Sequence, residues 1–143
     1  MTGIVATAEI DVAATPERVW SALTDPDEIA EYMFGTHVET DWQPGSPISW
    51  KGEWEGKPYE DKGMVVRVEP PRELVVTHFS PMTGQDDVPE NYHTVSYELA
   101  ASDEGTHVTL NQDNNGSEDE AQHSQENWSM VLGGLKSFVE NGG

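Results

Sequence analysis

Two histidines stand on segments whose alternating pattern predicts β-strands. His78 lies on the same side of its strand as Leu74 and Val76, and His93 lies on the same side as Val95. Because successive side chains of a strand point to opposite faces, each imidazole is expected to face the interior with its apolar neighbours. There it could donate a hydrogen bond to a ligand or act as a general base near neutral pH. The alternative for each is a hydrogen-bonded histidine of the core or of a strand end.

A set of aromatic residues occupies the same predicted inward faces. Its members are Trp42, Trp50, Trp54, Tyr59, Tyr97 and Trp128. With Tyr32, Leu132 and the two histidines, they are the predicted ligand-binding residues. Indole and phenol rings can form the wall of a pocket for flat or acyl-chain ligands, with few polar groups to fix orientation. The alternative is that these rings fill a solid core.

Glu31 is a third candidate for acid–base chemistry. It lies next to Tyr32, where the second of two predicted short helices ends. A carboxylate buried at that place would have a raised pKa and could exchange protons with a substrate. The alternative is an exposed acid, which is the commoner case in an acidic protein.

The sequence contains no motif for a nucleophile, a phosphate loop or a metal. There is no GxSxG, Walker-type or GxGxxG pattern, and the histidine spacings match no zinc motif such as HExxH. The absence of cysteine excludes disulfides, thiol catalysis and thiolate zinc sites. We therefore expect no metal and no cofactor, assign no catalytic residue, and leave open whether the protein is an enzyme.

The chain is strongly acidic, with 27 Asp and Glu against 7 Lys and Arg and a formal net charge of −20. A nucleic-acid binder needs basic residues to neutralise phosphates, so no nucleic-acid partner is expected. Anionic lipid is repelled for the same reason, and no stretch is long and apolar enough to cross a bilayer. The N-terminus lacks the basic and apolar regions of a secretory signal, which predicts a cytoplasmic protein without membrane insertion. The acidity favours solubility, with an acidic docking face for a basic partner as the alternative.

The length of 143 residues suits one domain, predicted over 1–143, which begins with a strand and two short helices. Residues 4–12 alternate between apolar and polar side chains, as in a half-buried strand. The pairs Thr15-Pro16 and Asp25-Pro26 are typical of helix N-termini. Six more alternating segments predict strands at 38–42, 48–54, 59–68, 74–79, 93–99 and 106–110.

A loop at 113–117 precedes the last predicted element, a long amphipathic helix. Ser117 and Glu120 have the spacing of a capping box at its start. An apolar stripe then recurs at helical spacing over about six turns, formed by Trp128, Leu132, Leu135 and Val139. Gly133-Gly134 inside this helix costs about 1 kcal/mol per glycine relative to alanine. We therefore expect the helix backbone to pack closely against another element at this point.

This order of elements predicts an α+β fold, because runs of antiparallel strands occur with helices set to one side. One long helix covers only part of so large a sheet. If the sheet curls around the helix, the rest of its inner face must be filled by side chains or left hollow. Pockets for small molecules typically enclose roughly 300–1,000 Å³.

Three parts of the chain resemble a known superfamily. The first is Ala14–Pro26 with its continuation to Glu31–Gly35, and the second is Asp41–Gly45 followed by Gly63–Thr77. The third is Thr106–Leu110 together with Trp128, Leu132, Leu135 and Lys136. In this order they resemble the SRPBCC superfamily, which includes the START-type lipid-binding and birch-pollen-allergen-type folds. Within it the sequence is most similar to the single-domain bacterial type of the family named for homology to the activator of the 90-kDa heat-shock-protein ATPase.

The resemblance implies a helix-grip fold, in which a curved antiparallel sheet of β-α-α-β6-α order wraps around a long C-terminal helix. It also implies a cavity between the sheet and that helix. It does not imply chaperone activation, because the chain is expected to have no room for the additional N-terminal domain of such activators. Asn127 departs from the family, whose members often have glycine there, and this difference is expected to alter the cavity wall.

Three functions are compatible with this fold, because fold alone does not determine function. The favoured hypothesis is a non-catalytic binder of a small apolar or aromatic molecule. The second is a cyclase, dehydratase or hydrolase that uses the same cavity, with His78, His93 and Glu31 as candidates for proton transfer. The third is an acidic protein-interaction module of the co-chaperone kind. A homodimer is the default expectation for the oligomeric state.

Overall fold

A curved, fully antiparallel sheet of seven strands packs against one long helix in the computed structural model, which describes residues 3–33, 35–54, 56–81 and 84–142. The strands are β1 (Ile4–Val12), β2 (His37–Glu39), β3 (Pro47–Trp54), β4 (Lys57–Glu69), β5 (Glu73–His78), β6 (His93–Ser102) and β7 (Gly105–Asn115). The helices are α1 (Pro16–Thr24), α2 (Pro26–Tyr32) and α3 (Glu118–Glu140), and a 3₁₀ turn lies at Pro89–Asn91. The spatial order of strands is β1-β7-β6-β5-β4-β3-β2. The predicted α+β helix-grip fold is therefore confirmed.

The helices begin at the residues that the sequence indicated. The Thr15 side chain accepts a hydrogen bond from the Arg18 amide, and the Asp25 side chain accepts one from the Asp27 amide. Ser117 Oγ accepts from the amide of Glu120 at 3.1 Å. These contacts satisfy amide groups that the first turn of a helix leaves without an intrahelical partner.

The long helix α3 packs mainly against β1, with smaller contacts to β7, α1 and α2. Leu132 and Leu135 on its inner side are buried together with Val108 and Leu110 of β7. The strands farther from β1 are not covered by α3 to the same extent. The solid part of the core therefore lies at the β1 side, and space is left over the inner faces of the other strands.

Two segments differ from the sequence-based predictions. The predicted loop at 113–117 is wrong in its first part, because β7 continues to Asn115. Its polar side chains replace missing backbone partners: Asp113 Oδ1 accepts from the amide of Thr94, and Asn115 Nδ2 donates to the carbonyl of Ile4. The predicted strand at 38–42 is also too long, since β2 ends at Glu39.

No helix within the described residues combines the length and the apolar character required to pass through a membrane.

The glycine pair of α3 behaves as expected at one of its two positions. A Cβ on Gly134 would lie 3.2 Å from the carbonyl oxygen of Tyr32 and 3.5 Å from its Cβ, so α2 and α3 approach closely there. A Cβ on Gly133 would meet nothing within 4 Å. Close backbone packing therefore explains Gly134 and does not explain Gly133.

This difference predicts opposite results for a matched pair of substitutions. Gly133→Ala should raise the free energy of unfolding by about 0.5–1 kcal/mol, because alanine is the better helix former and its methyl group has space. Gly134→Ala has the same intrinsic advantage, but its methyl group presses on Tyr32, so the gain should be smaller or become a loss. Urea denaturation of the two variants checks this. An equal or larger stabilisation by Gly134→Ala would contradict the close approach of α2 and α3.

Candidate functional site

A cavity of about 200 Å³ lies between the uncovered part of the sheet and the three helices. Its apolar lining residues are Leu23, Ile29, Met33, Val38, Ile48, Leu74, Val76, Val95 and Val131. Its aromatic lining residues are Tyr32, Trp42, Trp50, Tyr59, Tyr97 and Trp128. Its other polar lining residues are Thr36, Asp61, His78 and Asn127. Strands β2 to β6 contribute to this wall, whereas no described lining residue comes from β1 or β7.

The register of the strands explains which side chains face the cavity. Trp50 of β3 pairs with Val38 on one side and with Asp61 on the other. Leu74 of β5 pairs with Tyr97 of β6. Directly paired residues of an antiparallel sheet point to the same face. The paired residues of both sets therefore all face the interior. The cavity wall is a consequence of strand alternation in five neighbouring strands.

Aromatic contacts fix two sides of the wall. The rings of Trp50 and His78 meet edge-on, with centroids 5.0 Å apart and an interplanar angle of 65°. Tyr97 and Trp128 also meet edge-on, at 6.5 Å and 86°. The Trp128 indole N–H donates to Gln112 Oε1. These edge-to-face pairs are the arrangement that aromatic quadrupoles favour, and they hold the rings in defined orientations.

Two phenols of the wall remain neutral under ordinary conditions. Burial raises the pKa of Tyr32 well above its usual value, with smaller contributions from Tyr97 and Glu28. Burial also raises the pKa of Tyr97. Tyr32 donates its hydroxyl hydrogen to the carbonyl of Ala22 at 2.7 Å. The Tyr97 hydroxyl forms no hydrogen bond with the described part of the chain, so it can serve a ligand as donor or acceptor.

A chain of hydroxyl groups orients Tyr59. The Thr36 hydroxyl donates to the carbonyl of Met33 at 2.7 Å, which uses its only hydrogen. The Tyr59 hydroxyl, 2.7 Å from Thr36 Oγ1, must therefore be the donor of the next bond. The ring of Tyr59 lies over Gly52, where a Cβ would come within 2.7 Å of the hydroxyl oxygen. Gly52 thus provides the space that this orientation requires.

Asp61 and His78 form the most polar part of the wall. Nε2 of His78 lies 2.9 Å from Oδ2 of Asp61, and the two side chains are only 24% and 18% exposed. Because a carboxylate oxygen can only accept, the imidazole donates from Nε2. Among the described residues, Oδ1 of Asp61 is a buried side-chain atom without a hydrogen-bond partner. The pair therefore fixes the imidazole while leaving one carboxylate oxygen unsatisfied.

Trp42 reaches the cavity from a turn and not from the predicted strand. Its backbone φ of 59° lies in the left-handed region, which costs a residue with a side chain about 1–2 kcal/mol. The Thr40 hydroxyl accepts from the Trp42 amide, and Asp41 Oδ1 accepts from the Gln43 amide, which stabilises the turn. Strained residues of this kind concentrate at functional sites.

The structure brings seven of the ten predicted ligand-binding residues into this one wall: Tyr32, Trp42, Trp50, Tyr59, His78, Tyr97 and Trp128. The His93 side chain is not part of the lining, since its Nδ1 donates to the Asp113 carbonyl at 2.8 Å, as in the strand-end alternative. Leu132 is 1% exposed and packs in the solid core. The side chain of Trp54 lies outside the described part of the structure.

The other proton-transfer candidate, Glu31, is exposed and lies outside the cavity. It borders a separate groove on the outer side of α2 and α3, with Met130 and Phe138. The polar residues that sequence reasoning missed are Asp61 and Thr36. Asp61 lies two positions after Tyr59 on the same strand, so alternation placed it inward, but one aspartate does not stand out among 27 acidic residues.

The described residues contain no group of three or more His, Cys, Asp or Glu side chains arranged to hold a metal ion. His107 pairs with Glu9 and Asp11 on the partly exposed outer face of β1 and β7, and these two carboxylates raise its pKa.

The contact between Gly52 and Tyr59 predicts a strong coupling between these positions. Gly52→Ala should lower the free energy of unfolding by about 1–3 kcal/mol, because the methyl group displaces the Tyr59 ring and breaks its bond to Thr36. In a Tyr59→Val background the same change should be neutral, or stabilising by up to about 1 kcal/mol, since alanine suits a strand better than glycine. A double-mutant cycle measured by urea denaturation tests this. An equal cost in both backgrounds would show that Gly52 has another role.

One family model and one solved structure of high sequence identity match most of the chain. The sequence model of the family described as "Activator of Hsp90 ATPase homolog 1-like protein" matches residues 13–140. The solution structure of ChR145 from Cytophaga hutchinsonii is 49% identical with a TM-score of 0.85, and the match covers 99% of this chain and 97% of that one. No curated protein matches the chain.

Two more distant solved structures share the fold. The solution structure of the Aha1 dimer from Colwellia psychrerythraea is 21% identical with a TM-score of 0.75, covering 96% of both chains. The crystal structure of CalU16 from Micromonospora echinospora is 24% identical with a TM-score of 0.69, covering 94% of this chain and 74% of that one. At these identities the likeness concerns the fold alone.

Proposed function

The chain belongs to the family of Activator of Hsp90 ATPase homolog 1-like proteins, and we propose that it binds a small apolar or aromatic molecule in the cavity between its sheet and α3. The fold of this family is consistent with ligand binding. The observation that carries the proposal is the cavity wall, in which six aromatic residues surround an unfilled space. A chain under selection for stability alone would fill such a space, because lost contacts around a void are costly.

The size of the cavity limits the ligand. Its volume of about 200 Å³ is below the range of roughly 300–1,000 Å³ that is typical of pockets for drug-sized molecules. An engineered apolar cavity of about 150 Å³ in another protein takes up benzene. The proposed ligand is therefore compact, with one or two rings or a short acyl chain.

Filling the cavity should abolish binding of a simple apolar probe. We take 2-methylnaphthalene as the probe and Val131→Phe as the filling variant, because Val131 is a half-buried lining residue of α3. The variant should lose at least about tenfold in affinity, which corresponds to about 1.4 kcal/mol. Val66→Phe is the matched control, since Val66 is 49% exposed and does not line the cavity.

Ligand-observed NMR and quenching of the intrinsic tryptophan fluorescence measure this binding. Three of the five tryptophans line the cavity, so a probe inside it should change the emission. Native mass spectrometry of the freshly purified protein adds a search for a retained natural ligand. Absence of probe binding to the unmodified protein, or equal binding by both variants, would count against the proposal.

Proton-transfer catalysis in the same cavity is the second candidate, and the Asp61–His78 pair favours it. A carboxylate that accepts from one imidazole nitrogen fixes the tautomer and leaves the other nitrogen as a base. His78 Nδ1 has no hydrogen-bond partner among the described residues. An apolar wall around such a base would position a carbonyl compound. The imidazole would then accept an activated proton from the carbon next to the carbonyl group.

Deuterium exchange tests this second candidate without knowledge of the natural substrate. The α-protons of 2-tetralone should exchange in D₂O faster with the protein than without it, and His78→Gln should reduce the enhancement by about 10²-fold or more. His123→Gln is the control, because His123 is exposed on α3 and away from the wall. An exchange rate that does not depend on the protein or on His78 would eliminate this candidate.

A further inference from the structure

Oδ1 of Asp61 lacks a hydrogen-bond donor in the part of the chain that the structure describes, and a purely apolar ligand does not supply one. Oδ2 accepts from His78, whereas Oδ1 is buried and has no partner within the described residues. A buried acceptor without a partner is costly and calls for a specific explanation, such as a missing ligand. The χ2 torsion of an aspartate is soft, so a small rotation can turn Oδ1 toward a donor that enters the cavity.

The other polar atoms of the wall do not compensate for this oxygen. The Tyr59 hydroxyl uses its hydrogen on Thr36 and offers only lone pairs, and the Tyr97 hydroxyl can either donate or accept. The indole N–H groups of Trp42 and Trp50 are without described partners, but they are not cut off from solvent, so water can satisfy them. Among the described side chains, only Asp61 has a buried polar atom without a partner, so Asp61 alone imposes a requirement on the ligand.

The charges of the cavity lining and of the whole chain also favour a ligand that donates hydrogen bonds and carries no negative charge. Among the described lining residues there is one carboxylate and no lysine or arginine. The whole chain has a formal net charge of −20, which repels anions at long range. An anionic ligand would bring a second negative charge next to Asp61 without a cation to pair with it. A cationic ligand would gain attraction from Asp61 and from the aromatic faces around it.

We propose that the cavity selects compact aromatic or apolar molecules that carry an N–H or O–H donor, a protonated amine above all, and that it binds the donor through the Asp61 carboxylate. This inference rests on the proposed ligand-binding function and specifies which polar group the ligand carries. It also excludes carboxylates of the same shape.

A series of naphthalenes that differ only at one substituent tests the inference on the unmodified protein. The donor-bearing 2-naphthylmethylamine and 2-naphthalenemethanol should bind at least about tenfold more tightly than 2-methylnaphthalene, as expected for a hydrogen bond to a charged group. The acceptor-only 2-naphthaldehyde should gain nothing over 2-methylnaphthalene. The anionic 2-naphthoate should bind more weakly than all of them.

Asp61→Asn should reverse this preference. The amide oxygen can keep the bond from His78, which places the NH₂ group where Oδ1 was and turns an acceptor into a donor. The variant should therefore bind 2-naphthaldehyde more tightly than 2-naphthylmethylamine. Asp103→Asn is the matched control, because it removes the same charge from an exposed turn and should retain the original order.

The outcomes separate this inference from the proposed function. If 2-methylnaphthalene and every other compound fail to bind the unmodified protein, the proposed function fails. If 2-methylnaphthalene binds and the donor-bearing compounds bind no more tightly, the donor inference alone is overturned. Should Asp61→Asn lose its fold, as checked by circular dichroism, the series on the unmodified protein still decides between these results.

Discussion

The packing of α3 along β1 determines where the protein is solid and where it is hollow. Leu132 and Leu135 fill the space over β1 and β7, and their burial provides much of the core that holds the helix. The same placement leaves the inner faces of β2 to β6 without a covering helix of comparable length. The two short helices close that side only in part, so the cavity is a direct consequence of one long helix lying at one side of a seven-stranded sheet.

The polar groups around the cavity are held by bonds that do not depend on a ligand. Tyr32 donates to Ala22, and Tyr59 donates to Thr36. Trp128 is held by Gln112, and His78 by Asp61. Because these side chains are already oriented, a guest would lose less free energy in ordering the wall than it would in a flexible pocket. The unfilled space is therefore bounded by fixed rings and a few polar atoms, which is how small-molecule sites obtain orientation and specificity.

Alternation and helix caps made most of the fold predictable from the sequence. The period of two along the strands placed Trp50 and Tyr97 on inward faces, and Thr15 and Ser117 marked the starts of α1 and α3. The extension of β7 through Asn115 was not predictable, because its polar side chains look like a loop until their partners on neighbouring strands are known. Loop-forming residues and strand-ending residues differ here only in their tertiary contacts.

The candidate site was less predictable, for a related reason. The alternation of side chains along the strands puts His93 on the same face as His78. Whether the side chain reaches the cavity or the strand end depends on its position along the strand, which the alternation does not give. The importance of Asp61 depends on three tertiary features: its hydrogen-bond partner on β5, the ring of Trp50 beside it, and the burial of Oδ1. None of these is encoded within a short window of sequence.

The acidity of the surface and the chemistry of the cavity act over different distances. The net charge of −20 acts on approaching molecules through a field that physiological salt screens beyond about 8 Å. The Asp61 carboxylate acts at contact, in a partly buried place where screening is weak. Both contributions disfavour an anion, but only the second can distinguish two ligands of equal charge. Raising the salt concentration therefore weakens the long-range field and leaves the discrimination at Asp61 largely intact.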